Sequence, residues 1–148
     1  MGKIVAIDYG LKRIGIAISD ANRKIALPFQ TVLGGKEEIE NISSALALQK
    51  KEIDLLVIGL PLLMSGKKGE MAERVEIFAE KLSVFLGIPY VFLDERLTSR
   101  QAEGSLKELS LNRKKRSRKV DVVAAIFILQ TYLEKIAQQQ ILREGSSS

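Results

Sequence analysis

Two apolar runs near the start of the chain stand only four residues apart. Lys3 to Asp8 reads as a buried strand, with Ile4, Val5, Ala6 and Ile7 in succession, and Arg13 to Ser19 as a second, with Ile14, Ile16 and Ile18 on one face. The loop Tyr9-Gly10-Leu11-Lys12 between them is too short for a crossover, so the strands must pair antiparallel. After the turn Asp20-Ala21-Asn22-Arg23, a third strand spans Lys24 to Val32, and Pro28 within it predicts an edge position.

The pattern changes beyond Gly34-Gly35. Glu37 to Gln49 is expected to be helical, with Ile39, Ile42, Leu46 and Leu48 near a 3.6-residue period. Asp54 to Leu60 is a strand apolar on both faces, ended by Pro61. Ser65-Gly66-Lys67-Lys68-Gly69 is a loop. Met71 to Leu86 is an amphipathic helix with Val75, Phe78, Ala79, Leu82 and Phe85 inward and Gly87 as its C-terminal cap. Pro89 to Leu93 is a fifth strand, and Thr98 caps a short helix to about Leu109. A last helix runs from about Val120 to Gln138, with Ile126, Leu129, Leu133 and Ile136 as its seam. Hairpins followed by β-α-β crossovers, which are right-handed and parallel, predict an α/β domain: a mixed five-stranded sheet, its first three strands antiparallel, with helices on both faces. The expected domain is 1–138, with 139–148 a frayed polar tail.

Composition narrows the chemistry. The chain has 148 residues, 46% apolar and 28% charged, as ordinary globular domains do. It has no apolar run of the ~18 residues that a membrane span needs. The stretch before Asp8 is too short for a signal peptide, so the expected location is the cytoplasm and no membrane partner is expected. Cys and His are both absent. That excludes disulfides, a thiol nucleophile, a Ser–His pair and imidazole metal ligands. Carboxylates, Lys, Tyr, Ser/Thr or a bound ion remain, and carboxylates suit hard cations such as Mg²⁺ or Mn²⁺. Net charge is +5, and residues 112–119 (Asn-Arg-Lys-Lys-Arg-Ser-Arg-Lys) hold six cations in eight positions without an acid. Arg113, Lys114, Lys115 and Arg116 are therefore candidate phosphate contacts, the alternative being a solvated loop.

Sites in such sheets form beyond the C-terminal ends of the parallel strands. The first strand ends in Asp8, the fourth in Gly59-Leu60-Pro61 without an acid, and the fifth in Asp94-Glu95-Arg96. Asp121 opens the last helix, and the small Ala124 and Ala125 permit that helix to pack closely across the same edge. Each acid also has a plainer role. Asp8 can serve a turn, Asp94 and Glu95 can pair with Arg96, and Asp121 can complement the helix dipole. Together they ask for a cation, because two carboxylates ~4 Å apart repel by ~4 kcal/mol at an effective dielectric of ~20. One or two Mg²⁺ or Mn²⁺ ions would neutralise them, and a pair ~3.5–4 Å apart can activate water and stabilise the leaving oxygen of a phosphodiester.

The run from Ala6 to Asp20 (Ala-Ile-Asp-Tyr-Gly-Leu-Lys-Arg-Ile-Gly-Ile-Ala-Ile-Ser-Asp) resembles the opening motif of the YqgF (RuvX) family. Val57-Ile58-Gly59-Leu60-Pro61, the block from Asp94 to Ala102 and the block from Asp121 to Gln130 resemble its other three motifs, in order. The resemblance covers nearly the whole chain. It implies a ribonuclease H-like fold related to Holliday junction resolvases. It also implies a nuclease of the bacterial cytoplasm acting in 5′ maturation of precursor 16S ribosomal RNA, with branched DNA as the alternative substrate. By matching positions, the implied catalytic acids are Asp8, Asp121 and one or both of Asp94 and Glu95. Asp8, Glu95 and Asp121 are the expected metal ligands. Resolvases of the related family carry an acid at the end of the fourth strand, where this chain has Gly59-Leu60-Pro61, so the second ligand must come from the fifth strand. A His often found just before the last-helix acid is replaced by Lys119-Val120.

Lys12, Arg13, Lys67 and Arg96 join the basic segment as candidate nucleic-acid contacts. Arg13 can equally form a hairpin salt bridge, and Tyr9 can either stack on a base or pack against the next helix. Two other classes compete with a nuclease: a non-catalytic nucleic-acid-binding module that keeps the fold and the basic loop, and an actin-like or sugar-kinase ATPase, whose phosphate loop Asp8-Tyr9-Gly10 resembles. The latter needs a second large domain. The chain is expected to be a monomer or a homodimer; cutting two strands of a junction requires the dimer.

Overall fold

The computed structural model describes residues 2–97 and 118–146, with side chains from 122 to 145 in the second stretch. Five strands form one sheet: β1 (Lys3–Asp8), β2 (Arg13–Ser19), β3 (Ala26–Leu33), β4 (Ile53–Leu60) and β5 (Tyr90–Asp94). Their spatial order is β3-β2-β1-β4-β5. The first three are antiparallel neighbours, and β1, β4 and β5 run parallel. β1 is central and covered on both sides, which is why it is a continuous apolar run rather than an alternating one. β3 lies at the edge, where Pro28 disrupts no inner ladder.

Among the described residues, three α-helices cover the sheet: α1 (Glu38–Leu46), α2 (Glu70–Leu86) and α3 (Arg118–Ser146). Side-chain alternation sorts the strands into two cores. Val5, Ile7, Ile14, Ile16, Leu56 and Ile58 face α1 and α2. Ile4, Ala6, Ala17, Val57 and Leu93 face Ala125, Ile128, Leu129 and Leu133 of α3. Leu82 of α2 is fully buried in the first core. Leu82→Ala should cost about 2–5 kcal/mol of stability in urea unfolding, the range for a buried leucine that leaves a cavity.

Beyond shifts of one or two residues at element ends, the structure differs from the sequence expectation in three places. α1 stops at Leu46, and Leu48 is 96% exposed, because the chain turns into a short 3-10 turn at Lys50–Glu52 before β4. In α2, Ala72 and Leu86 are buried and Phe85 is 54% exposed, since the inward stripe follows Val75, Ala79, Leu82 and Leu86 and leaves position 85 at its rim. Gly87 caps α2 in the left-handed conformation, as expected, with φ 70° and its N–H donating to the Ser83 carbonyl.

The third difference is at the end of the chain. α3 does not fray near Gln138 but continues to Ser146, because Gln138–Gln140, Leu142, Arg143 and Glu144 are good helix formers with no breaker before Gly145. This extension is solvent-exposed. The expected cap at Thr98 and the short helix to Leu109 lie outside the described residues. No helix among the described residues is long and apolar enough to cross a membrane.

Candidate metal centre

β1, β4 and β5 are parallel, so their C-terminal ends meet on one edge of the sheet. Ile4 and Ala6 face α3, and Asp8, two further residues along, falls on the same face by the two-residue period. The same period separates the two neighbouring acids after β5. Tyr90 and Phe92 pack against the α1/α2 core and Asp94 follows in their register, whereas Leu93 belongs to the α3 core. Glu95 opens a 3-10 turn (Glu95–Leu97), and its side chain lies on the α3 side, over Gly59.

The two acids consequently have different partners. The side chains of Glu95 and Asp8 lie within hydrogen-bond reach of one another. Burial pushes the Glu95 carboxyl above the usual glutamate range; the bond with Asp8 opposes the rise and the charge of Asp94 adds to it. Asp94 is instead held by Arg96. The Arg96 backbone N–H donates to Asp94 Oδ1 at 3.0 Å, its Nε donates to both carboxylate oxygens, and its Nη2 donates to Oδ2 at 2.7 Å. The Arg96 guanidinium therefore keeps Asp94 below the ordinary carboxylate range, with the backbone bond acting in the same direction. Arg96 also donates to the Met64 carbonyl. The loop that carries Lys67 rests against its guanidinium at Gly66, so the exposed Lys67 stands beside the acid-bearing edge.

Lys12 and Arg13 lie in the hairpin that leaves the C-terminal end of β1, again at this edge. Lys12 is exposed and its carbonyl accepts from the Gly34 N–H at 2.9 Å, while Arg13 begins β2 opposite Leu33. Tyr9 packs rather than presenting a stacking surface. Its ring lies 4.4 Å from that of Phe78, and its hydroxyl donates to Glu38 Oε1. Burial, then the Glu38 carboxylate, raises its pKa.

Asp121 is in the first turn of α3, seven residues before Ile128; its side chain, like Arg113, Lys114, Lys115 and Arg116, lies outside the described residues. Among the described residues, no group of three acids gathers; Asp8 and Glu95 form a pair. The pairing with Arg96 that the sequence left open to both acids is seen for Asp94. One element of this edge went unassigned in the sequence reading, Gly59 as the space that admits Glu95; a lone glycine in an otherwise Ile/Leu/Val strand is its signal.

Comparison with known proteins gives the family and the fold. The RuvX family, described as Holliday junction resolvase, matches residues 2–135. A protein of Protochlamydia amoebophila named "Putative pre-16S rRNA nuclease" is 48% identical over 139 residues, covering 89% of this chain and 93% of its own length. One of the same name from Endomicrobium trichonymphae is 44% identical over 135 residues, covering 90% and 96%. Among solved structures, Thermus thermophilus RuvC in complex with a Holliday junction substrate superposes with a TM-score of 0.56 at 14% identity, covering 91% of this chain and 96% of that one. The fowlpox virus Holliday junction resolvase gives 0.54 at 15%, covering 90% and 99%. At these identities the structures share the fold alone, which is the ribonuclease H-like architecture expected from the sequence. The four ordered sequence blocks, the matched span and the relatives at up to 48% identity together place the chain in the RuvX family.

Proposed function

We propose that this protein is a nuclease that hydrolyses phosphodiester bonds with the help of Mg²⁺ or Mn²⁺, in the maturation of precursor 16S ribosomal RNA in the cytoplasm. The observation that carries this reading is the Asp8–Glu95 pair: two carboxyls brought within hydrogen-bonding distance at the sheet edge, in a chain with no His or Cys. Two hard oxygen donors in contact fit a divalent cation better than a proton at neutral pH. Position 121, seven residues before Ile128, is close to two helical turns away and so shares the stripe of α3 that faces the sheet. Asp121 is accordingly the third ligand proposed.

Bound there, a divalent cation supplies Lewis-acid stabilisation of the charge that develops on the phosphodiester. Asp8, at the end of β1, and Glu95, just beyond β5, would hold it from the two parallel strands that flank β4, so the rigid sheet sets their separation. Lys12, Arg13 and Lys67 stand around the same edge and can bind the phosphate backbone; Arg113 to Arg116 are proposed to extend that grip. Arg96 holds Asp94, which leaves Glu95 as the ligand from this segment.

The family description and the RuvC-like fold favour a second substrate, branched DNA, for the same site. Cleavage of precursor 16S RNA and of four-way DNA junctions, each with Mg²⁺, Mn²⁺ or chelator, separates the two. Asp8→Asn should abolish metal-dependent cleavage of whichever is cut. Cleavage that persists in a clean Asp8→Asn preparation rejects the mechanism. Salt-sensitive binding without metal-dependent turnover points instead to a non-catalytic binding module.

A further inference from the structure

Glu95 reaches Asp8 across the α-carbon of Gly59. A β-carbon built at position 59 would stand 2.6 Å from Glu95 Oε1, 3.1 Å from its Cγ and 2.7 Å from Ile128 Cδ1. All three distances are at or inside the limit of ordinary carbon contacts, so any side chain at 59 competes with the Glu95 carboxylate for one volume. The glycine has no backbone justification. It is not one of the left-handed glycines, which among the described residues are Gly35, Gly66 and Gly87. A glycine inside a strand also forfeits packing and chain entropy. Its obstacles differ in kind from those at Gly10 and Gly34, where a β-carbon would strike the backbone carbonyls of Arg13 and Leu11. At Gly59 the obstacles are the ends of two flexible side chains, which can move without breaking the sheet.

We propose that Gly59 is a positioning residue for Glu95: the missing side chain at the end of β4 is what lets the acid that follows β5 sit against Asp8. The inference rests on the reading of Asp8 and Glu95 as metal ligands. It makes a specific claim about coupling. Alanine at 59 should displace the Glu95 carboxylate, and a carboxylate one methylene shorter should no longer meet the added methyl. Ile128→Val removes only Cδ1, the other atom in the way, and so separates crowding of α3 from crowding of the acid.

The test is Mn²⁺ binding by the full chain, read from the paramagnetic resonance signal of the free ion, with thermal melting to report folding. Gly59→Ala is expected to weaken binding by ~10–100-fold, the usual range for a residue that orients a ligand, while still melting cooperatively. Ile128→Val should not restore it. In the Glu95→Asp background, itself weaker than wild type, adding Gly59→Ala should cost nothing further, which is a non-additive cycle. If Gly59→Ala alone does not fold, the same comparison made throughout on Ile128→Val decides the matter. Wild-type affinity in Gly59→Ala, or an equal penalty in the Glu95 and Glu95→Asp backgrounds, overturns the positioning role and leaves the metal reading standing. A wild-type protein that binds no Mn²⁺ overturns both.

Discussion

Glu95→Gln is expected to lower phosphodiester cleavage at least ~100-fold, whereas Asp94→Asn should lower it less than ~10-fold. The two acids are adjacent in sequence, and the difference comes from their surroundings. Glu95 lies over Gly59, within hydrogen-bond reach of Asp8. Asp94 has its oxygens occupied by the backbone and side chain of Arg96. Even residues that only orient a metal ligand cost ~10–100-fold when removed, so a ligand itself should cost no less. Gln keeps the size and hydrogen-bonding reach of Glu and removes only the charge, so the fold should be retained. For Asp94→Asn the effect should fall on substrate binding, because Arg96 loses its carboxylate and the Lys67 loop loses part of its support. That appears in KM rather than kcat. Equal kcat losses in the two variants would assign both acids to the metal and reject this division.

Acid should weaken metal binding at a pH where an ordinary glutamate is still ionised. Burial raises the Glu95 carboxyl above its usual range, so in the metal-free protein it keeps its proton to higher pH than in an unfolded chain. The sign for folding follows. A raised native pKa contributes stability that is complete below the unfolded value and is lost as pH rises through the native one. The metal acts in the opposite sense, since it binds the deprotonated form. Apparent Mn²⁺ affinity should be flat above the raised value and fall by about tenfold per pH unit below it, with one proton released per ion bound in that window. Calorimetric titration in buffers of different ionisation enthalpy reads both quantities. Glu95→Gln should bind weakly and remove the proton release. An affinity that stays flat from neutral pH down to the ordinary carboxylate range would show that Glu95 is not displaced from its proton by the ion.

Much of the architecture was legible from short-range features. The four-residue loop after Asp8 allowed only a hairpin, Pro28 marked an edge strand, and the unbroken apolar runs before Asp8 and Leu60 marked strands covered on both faces. Gly87 closed α2 where a left-handed residue was needed. These are local constraints of backbone geometry and periodicity. Leu48 and Phe85 show where they stop. Both match an apolar helical period, yet one falls beyond the end of α1 and the other at the rim of the α2 stripe, because burial depends on where the opposing sheet lies. The polar segment after Gln138 has no inward stripe to announce a helix, yet α3 carries on through it by propensity alone.

The sequence by itself excluded imidazole and thiol chemistry, because it contains neither His nor Cys, and it placed Asp8 at the end of a buried strand. It put Glu95 narrowly ahead of Asp94 as the ligand from the fifth strand. Only the tertiary structure gave a physical reason to separate them, because the difference depends on the local partner Arg96 and on the distant Gly59. Arg96, braced by the Met64 carbonyl, holds Asp94, and Gly59 on the adjoining strand, beneath Ile128 of α3, leaves space for the Glu95 carboxyl beside Asp8. The absence of a side chain is read from a sequence as a weakness in a strand. Its use as room for another residue's carboxylate is visible only when the strands and the helix above them are assembled.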